Sequence, residues 1–324
     1  MGNTKIIYHK INKLQSCPDG LAASWSALKK YPDAEVIGWE YQTEPPLAAD
    51  ELTGFFKLLF RSLFEKKKHP QKTLIAPGDR VVIVDFSFPK EVLDSWVAIG
   101  VEVVVIDHHK TAQKMLEGFA GGILRFDMGK CGAMLTWEYF FPDKPVPEFI
   151  KYVQDQDLWQ WALPYSKEVR EAFGSLGRNF KTFDFLETLP ADEFVEYMRA
   201  VGEPLVKARE ERVEAIAARH KDTQLDEYVI KAVELTEDEL FLTSDVCAFL
   251  YNQFPEVPFT ACFNYEPQNW LQKLFRRAKT VKWSLRSSNK NPNAVDVSAV
   301  AKRRGGGGHF NSSGYSIKEE SKKV

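Results

Sequence analysis

Asp107-His108-His109 closes the run Val101–Ile106, which is β-branched almost throughout and reads as a buried strand. In open α/β sheets, functional groups collect just beyond the carboxyl ends of the strands. One carboxylate and two imidazoles placed there offer mixed oxygen and nitrogen ligation, which suits a first-row divalent metal. The plainer alternative is an Asp that caps the next helix beside two solvent-facing histidines. Other acids fall where further elements should end. Asp85 directly follows Val81–Val84, and Asp19 stands just before an apolar helix. An Asx-turn at Asp85 and a helix cap at Asp19 are the structural alternatives. Asp155 and Asp157 come at the end of another apolar helix, where the helix dipole disfavours negative charge. Carboxylates gathered from four element ends repel one another unless cations neutralise them, and two metal ions satisfy the count.

The elements that must position these side chains alternate. Strand Lys5–His9 leads to the helical pattern Leu21–Leu28, then to strand Glu35–Trp39. Leu52–Phe64 is apolar at helical spacing. Arg80–Val84 with Lys90–Ile99, and Glu102–Ile106 with a helix through Leu116, add two strand–helix units. Such alternation predicts crossover connections and a mostly parallel sheet. Gly129–Phe141 and Val146–Val153 read as helices that close this domain. Ala191–His220 has helical periodicity, and Pro204 is expected to kink or split it. Beyond Leu225 the texture changes to strands Tyr228–Glu234, Phe259–Tyr265, Thr280–Arg286 and Gly314–Ile317, with a helix Ser244–Phe254 capped by Ser244. The expected fold class is α/β, in two domains joined by a helical connector.

Composition narrows the setting. At 324 residues, with 44% hydrophobic and 27% charged residues, the chain is an ordinary globular protein with room for two cores. A net charge of −2 excludes a whole-molecule polyanion magnet. The charge is uneven, however. Between Leu271 and Arg304, Lys273, Arg276, Arg277, Lys279, Lys282, Arg286, Lys290, Lys302, Arg303 and Arg304 face one acid, Asp296. Either this run binds polyanions or it is solubilising charge beside a loop. Gly305–Gly308 follow it, and glycine amides can approach phosphate oxygens with no side chain in the way. Four scattered cysteines without a Cys-x-x-Cys pair argue against a zinc ribbon or a disulfide framework. With no apolar run of membrane-spanning length and no signal peptide pattern, the expected location is cytoplasmic.

The order Pro18-Asp19-Gly20, Asp85-x-Ser87-x-Pro89, Asp107-His108-His109 and Asp155-x-Asp157-Leu158-Trp159 resembles the DHH phosphoesterase superfamily. Gly305–Gly308 with His309-Phe310-Asn311-Ser312-Ser313-Gly314 is similar to the glycine-rich loop of its DHH-associated domain. The resemblance implies a DHH domain over 1–190, a helical linker over 191–224 and a substrate-binding domain over 225–324, with a substrate cleft between the two domains. It implies two Mn²⁺ ions, replaceable by Mg²⁺ or Co²⁺, on Asp19, Asp85, Asp107, His108 and Asp155, with Asp157 as the alternative to Asp155. Asp107, His108 and His109 would be catalytic, and Arg286, Ser288, Gly306, Gly307, Gly308 and His309 would hold substrate.

The first motif departs from the commonest family pattern. Gln15 stands where a His is usual and Leu21 where a second Asp is usual. A branch of the family pairs Tyr-His with Cys-Pro-Asp-Gly, so Tyr8-His9 ahead of Cys17-Pro18-Asp19-Gly20 makes His9 the expected ligand across a longer loop. The implied activity is metal-dependent hydrolysis of short single-stranded oligonucleotides or linear dinucleotides to nucleoside monophosphates, by in-line water attack. A pyrophosphatase or exopolyphosphatase, and a non-catalytic nucleotide sensor, are the competing readings. Trp159, Trp161, Phe310 and Tyr315 are candidates for stacking a base, although aromatics more often fill cores. No membrane partner is expected, and a homodimer is compatible with the resemblance.

Overall fold

The computed structural model describes residues 2–12, 15–40, 45–48, 74–267 and 278–319. The helix expected over Leu52–Phe64, and Lys273, Arg276 and Arg277, lie outside the described residues. Two compact units, Met1–Val206 and Lys207–Val324, divide the chain.

The first unit is built on five parallel strands: β1 (Thr4–Asn12), β2 (Glu35–Trp39), β3 (Arg80–Val84), β4 (Glu102–Asp107) and β5 (Ile123–Phe126). Their order is β2-β1-β3-β4-β5, all parallel, so the expected mostly parallel sheet is borne out. Strands β3 and β4 are buried on both faces by their Val and Ile side chains, as a sheet covered on both sides requires. Short helices α2 (Lys90–Ala98) and α3 (Lys110–Met115) follow β3 and β4. One core lies around Trp96, Phe86 and Phe88. The larger one gathers α1 (Pro18–Lys30), α4 (Gly132–Phe140), α5 (Glu148–Asp157), α6 (Ser166–Leu176) and α7 (Phe180–Glu187) around Trp25. The Trp25 ring stacks on Trp137 at 5.8 Å and meets Phe149 edge-on at 5.1 Å. Such an aromatic cluster buries much apolar area in fixed geometry.

Helix α8 runs unbroken from Ala191 to Ala217 with Pro204 inside it, so the expected split does not occur. Pro204 removes one backbone hydrogen bond. Packing on both sides of it outweighs that loss, with Phe194 and Met198 buried in one core and Val213, Ile216 and Ala217 in another.

The second unit has six strands in the order β10-β11-β9-β8-β7-β6: β6 (Lys221–Leu225), β7 (Tyr228–Glu234), β8 (Thr260–Tyr265), β9 (Lys279–Arg286), β10 (Gly307–His309) and β11 (Ser312–Glu319). Among the described residues of this unit, only β7 and β8 pair in parallel. Helix α9 (Thr243–Gln253) and α10 (Val297–Lys302) pack against it. Ser244 does not cap α9, because a 3₁₀ turn, Glu237–Leu242, runs directly into that helix. The capping box sits one element earlier, between Thr236 and Glu239. Among the described residues no helix is long and apolar enough to cross a membrane.

Candidate metal centre

Strand register assembles the site. Tyr8 pairs with Val84, and Val84 with Ile106, across β1, β3 and β4. The next residue on each chain, His9, Asp85 and Asp107, therefore emerges side by side at the carboxyl ends. The order 2-1-3-4-5 reverses direction between β1 and β3, the switch point outside which ligands bind in open α/β sheets. Asp85 sits there at φ 54°, a left-handed conformation that aims its carboxylate off the strand line.

Helix α1 brings Asp19 to the same place. A Cβ on Gly20 would meet the His9 carbonyl at 2.6 Å, and one on Gly132 would meet Asp85 Cβ at 2.7 Å. Only glycine lets α1 and α4 approach the strand ends this closely. Asp19 does not cap its own helix. Its two carboxylate oxygens accept from the Gly132 and Ala133 N–H groups at 2.6 and 2.7 Å, at the start of α4.

Asp107 is fully buried and organises the turn after it. Its Oδ1 accepts from His108 N, His109 N and His109 Nδ1 at 2.7, 3.1 and 2.7 Å, and its Oδ2 from Ser87 Oγ at 2.8 Å. His108 Nε2 stands 3.1 Å from Asp85 Oδ1 and 3.6 Å from both Asp19 Oδ2 and Asp157 Oδ2. His9 Nδ1 lies 3.7 Å from Asp85 Oδ2. Three overlapping groups of ligand atoms each lie within 4.8 Å: Asp85-Asp107-His108-His109, His9-Cys17-Asp85 and Asp19-His108-Asp157.

The structure does not bring Asp155 into this cluster. Its carboxylate accepts from Ala162 N at 2.8 Å and from Ser166 Oγ, inside the protein. Asp157, two residues on, takes the place facing His108. Successive helical residues turn by about 100°, so Asp155 and Asp157 point in nearly opposite directions. Cys17, read from sequence only as part of a motif, also contributes its sulfur to the cluster's edge.

Charge crowding is visible in the acidities. Burial, then the negative charges of Asp85 and Asp157, push the Asp19 carboxyl well above its usual range. Burial and Asp85 raise Asp157 likewise. Burial opposes ionisation of Asp85 too, but His108 and His9 outweigh it and hold that carboxyl down. His108 rises to about 9, because Asp85, Asp19 and Asp157 overcome the opposing effect of burial. His109 is raised chiefly by its bond to Asp107. Asp85 Oδ2 is buried with no hydrogen-bond partner among the described residues. Acids that resist ionisation together, histidines that hold protons and one orphaned carboxylate oxygen fit a site that divalent cations complete.

No protein-family model matches the sequence. Over 245 residues it is 29% identical to uncharacterized protein R106 of Acanthamoeba polyphaga mimivirus, and over 245 residues 26% identical to oligoribonuclease NrnB of Bacillus subtilis (strain 168). These matches cover 73% and 71% of this chain but 53% and 57% of those proteins, so the chain spans about half the length of the curated relatives it matches. Among solved structures, the DHH domain of a member of the S1p family of ribosomal proteins has a TM-score of 0.52 and 14% identity, covering 99% of this chain and 84% of that one. The fold is that of a DHH domain.

The second unit holds the other expected site residues. Arg286 pairs with Ser312, and Ser312 pairs with His309, so both basic side chains flank one residue of β11. The Ser287 hydroxyl donates to Asn311 Oδ1 at 3.0 Å, and Asn311 Nδ2 donates to Asn289 Oδ1 at 2.9 Å, tying the loop after β9 to the glycine-rich turn. Ser288 Oγ accepts from Lys290 N at 3.3 Å within that loop. Gly306 is packed against Gly314 O and Tyr315, and Gly308 against Ser312 and Ser313, whereas Gly307 has open space where a side chain would be. The basic run is partly neutralised. Arg303 and Arg304 both pair with Asp226, and Lys282 with Glu266 at 2.8 Å.

The additional residues ahead of Cys17 prolong β1 to Asn12, and Gln15–Ser16 return antiparallel to it, so His9 keeps its place on the strand. The Gln15 side chain lies outside the described residues. His9→Ala is expected to weaken metal binding about tenfold or more, while Gln15→Ala leaves it unchanged. Calorimetric titration of the metal-free protein with Mn²⁺ checks both, and equal affinities in the two variants would remove His9 from the ligand set.

Proposed function

We propose that this chain is a divalent-metal-dependent phosphodiesterase that hydrolyses short oligonucleotides or linear dinucleotides to nucleoside monophosphates. The observation that carries the reading is the gathering of His9, Asp19, Asp85, Asp107, His108 and Asp157 into overlapping ligand groups at the sheet's switch point, with Asp85 Oδ2 left without a hydrogen-bond partner among the described residues. The oligoribonuclease named among its relatives supports the substrate class. His9, Asp19, Asp85, Asp107, His108 and Asp157 would hold two ions, and Mn²⁺ suits this mixture of carboxylate and imidazole donors. When bound, such ions polarise a scissile phosphate and lower the pKa of an attacking water.

The protein's own residues do the rest. Asp107 fixes the tautomer and tilt of His109 through Nδ1, so its contact with a phosphate goes through Nε2. That bond pushes the imidazole's pKa upward, which suits His109 to offset phosphate charge or hand a proton to the leaving oxygen. Arg286, Ser288, Gly306, Gly307, Gly308 and His309 of the second unit are the proposed substrate-binding residues.

The test is hydrolysis with Mn²⁺ of four substrates: pyrophosphate, a dinucleotide, a 5-mer and a 30-mer. Rapid cleavage of the dinucleotide and 5-mer, abolished by chelator, is the expected result. Cleavage of pyrophosphate alone would overturn it, as would metal-independent turnover. In the same assay, His309→Ala and Arg286→Ala are expected to raise KM about ten- to a hundredfold, the loss of one charge-assisted contact, with smaller effects on kcat.

A further inference from the structure

Asp157 is followed by a strained turn. Among the described residues, five non-glycine residues have positive φ, and three are aromatics of this turn: Trp159 at 56°, Trp161 at 53° and Tyr165 at 56°. The left-handed region is unfavourable for such bulky residues. Several groups hold the turn in spite of that. Gln160 N donates to the Asp155 carbonyl at 2.8 Å, Ala162 N to the Asp155 carboxylate, and Tyr152 OH to Pro164 O at 2.8 Å. The Arg170 guanidinium covers Trp161 at 5.3 Å, and that of Arg199 covers Tyr165 at 5.2 Å.

The braced rings carry one that is not buried. Trp159 meets Trp161 edge-on at 5.1 Å and is 72% exposed. An exposed indole on strained backbone gains little for folding. Only Leu158 separates it from Asp157, at most about 7 Å between Cα atoms. That distance is well within reach of a base attached to a phosphate at the metal centre.

We propose that Trp159, braced by Trp161, is a stacking shelf for the nucleobase beside the scissile phosphate, and that it selects nucleotides over base-free phosphates. Every base presents a π-face, so the shelf recognises nucleotides without reading their sequence. This selectivity rests on the phosphodiesterase reading, but its binding test does not need turnover.

The test compares binding of AMP and ribose 5-phosphate by calorimetry, in wild type, Trp159→Ala and Trp159→Phe. Wild type is expected to prefer AMP. Trp159→Ala should lose about ten- to a hundredfold of that preference, and Trp159→Phe should keep most of it. The melting temperature of Trp159→Ala should not fall, whereas a purely structural Trp159 would lower it. Equal affinity of wild type for the two ligands, or an unchanged preference in Trp159→Ala, would overturn the shelf. If wild type shows the preference yet cleaves no dinucleotide, the shelf stands and the phosphodiesterase reading falls.

Discussion

Asp85→Asn is expected to abolish turnover while leaving the metal-free protein as stable as wild type, or more so. Asp85 belongs to two of the three ligand groups, so its loss exceeds the ten- to hundredfold typical of removing a residue that merely supports a ligand. Its stability effect has the opposite direction. Without cations, Asp85 pushes the pKa of Asp19 and of Asp157 upward, a direct expression of repulsion among buried carboxylates. Removing one charge relieves it, at the cost of the bond to His108. Asp107→Ala should also abolish turnover but lower stability, because its four donors would lose their acceptor. Dinucleotide hydrolysis with Mn²⁺ and melting in chelator separate the two. An Asp85→Asn protein with near-wild-type turnover would refute the metal centre.

The neighbouring acids Asp155 and Asp157 should behave oppositely. Asp155→Ala strips the acceptor from Ala162 N and Ser166 Oγ in a buried setting. That should cost about 3 kcal/mol, a fall of about 6–12 °C in Tm for a unit of this size. Asp157→Ala should leave Tm in chelator unchanged or raised, yet lose metal affinity and turnover. Melting curves and Mn²⁺ titrations on the two variants decide this. If Asp155→Ala melts normally and loses metal while Asp157→Ala binds it, their roles are reversed.

This pair also marks where the sequence stops being legible. Asp85 and Asp107 could be placed because runs of Val and Ile end on them, and a strand end points one way. Asp-x-Asp at a helix end has two nearly opposite directions, and only the packing of Ala162 and Ser166 decides between them. Strand β5 escaped notice because Ile123–Phe126 is an edge strand, alternately exposed and half-buried, with no continuous apolar run. Helices α6 and α7 are short and bury few apolar residues, Val169, Ala172 and Phe173 in one and Phe183 and Leu186 in the other. Pro204 signalled a break that packing on both sides suppresses. The basic run suggested a free cationic surface, but Asp226 and Glu266, outside its window, engage three of its members. The parallel sheet was readable because alternation of strand and helix is a long-range pattern that no single residue can disguise.

The alignment of Tyr8, Val84 and Ile106 sets different tolerances along the chain. Each strand works as a ruler whose last mark carries a ligand, and side chains alternate faces at every residue. One residue inserted within Val81–Val84 would turn Asp85 to the opposite face, however well the strand still buried its apolar groups. The connection after His9 is under no such constraint, since its additional residues fold back along β1 without shifting the ligand. Length can therefore vary freely between the strand ends and the helices, while the strands themselves must keep count.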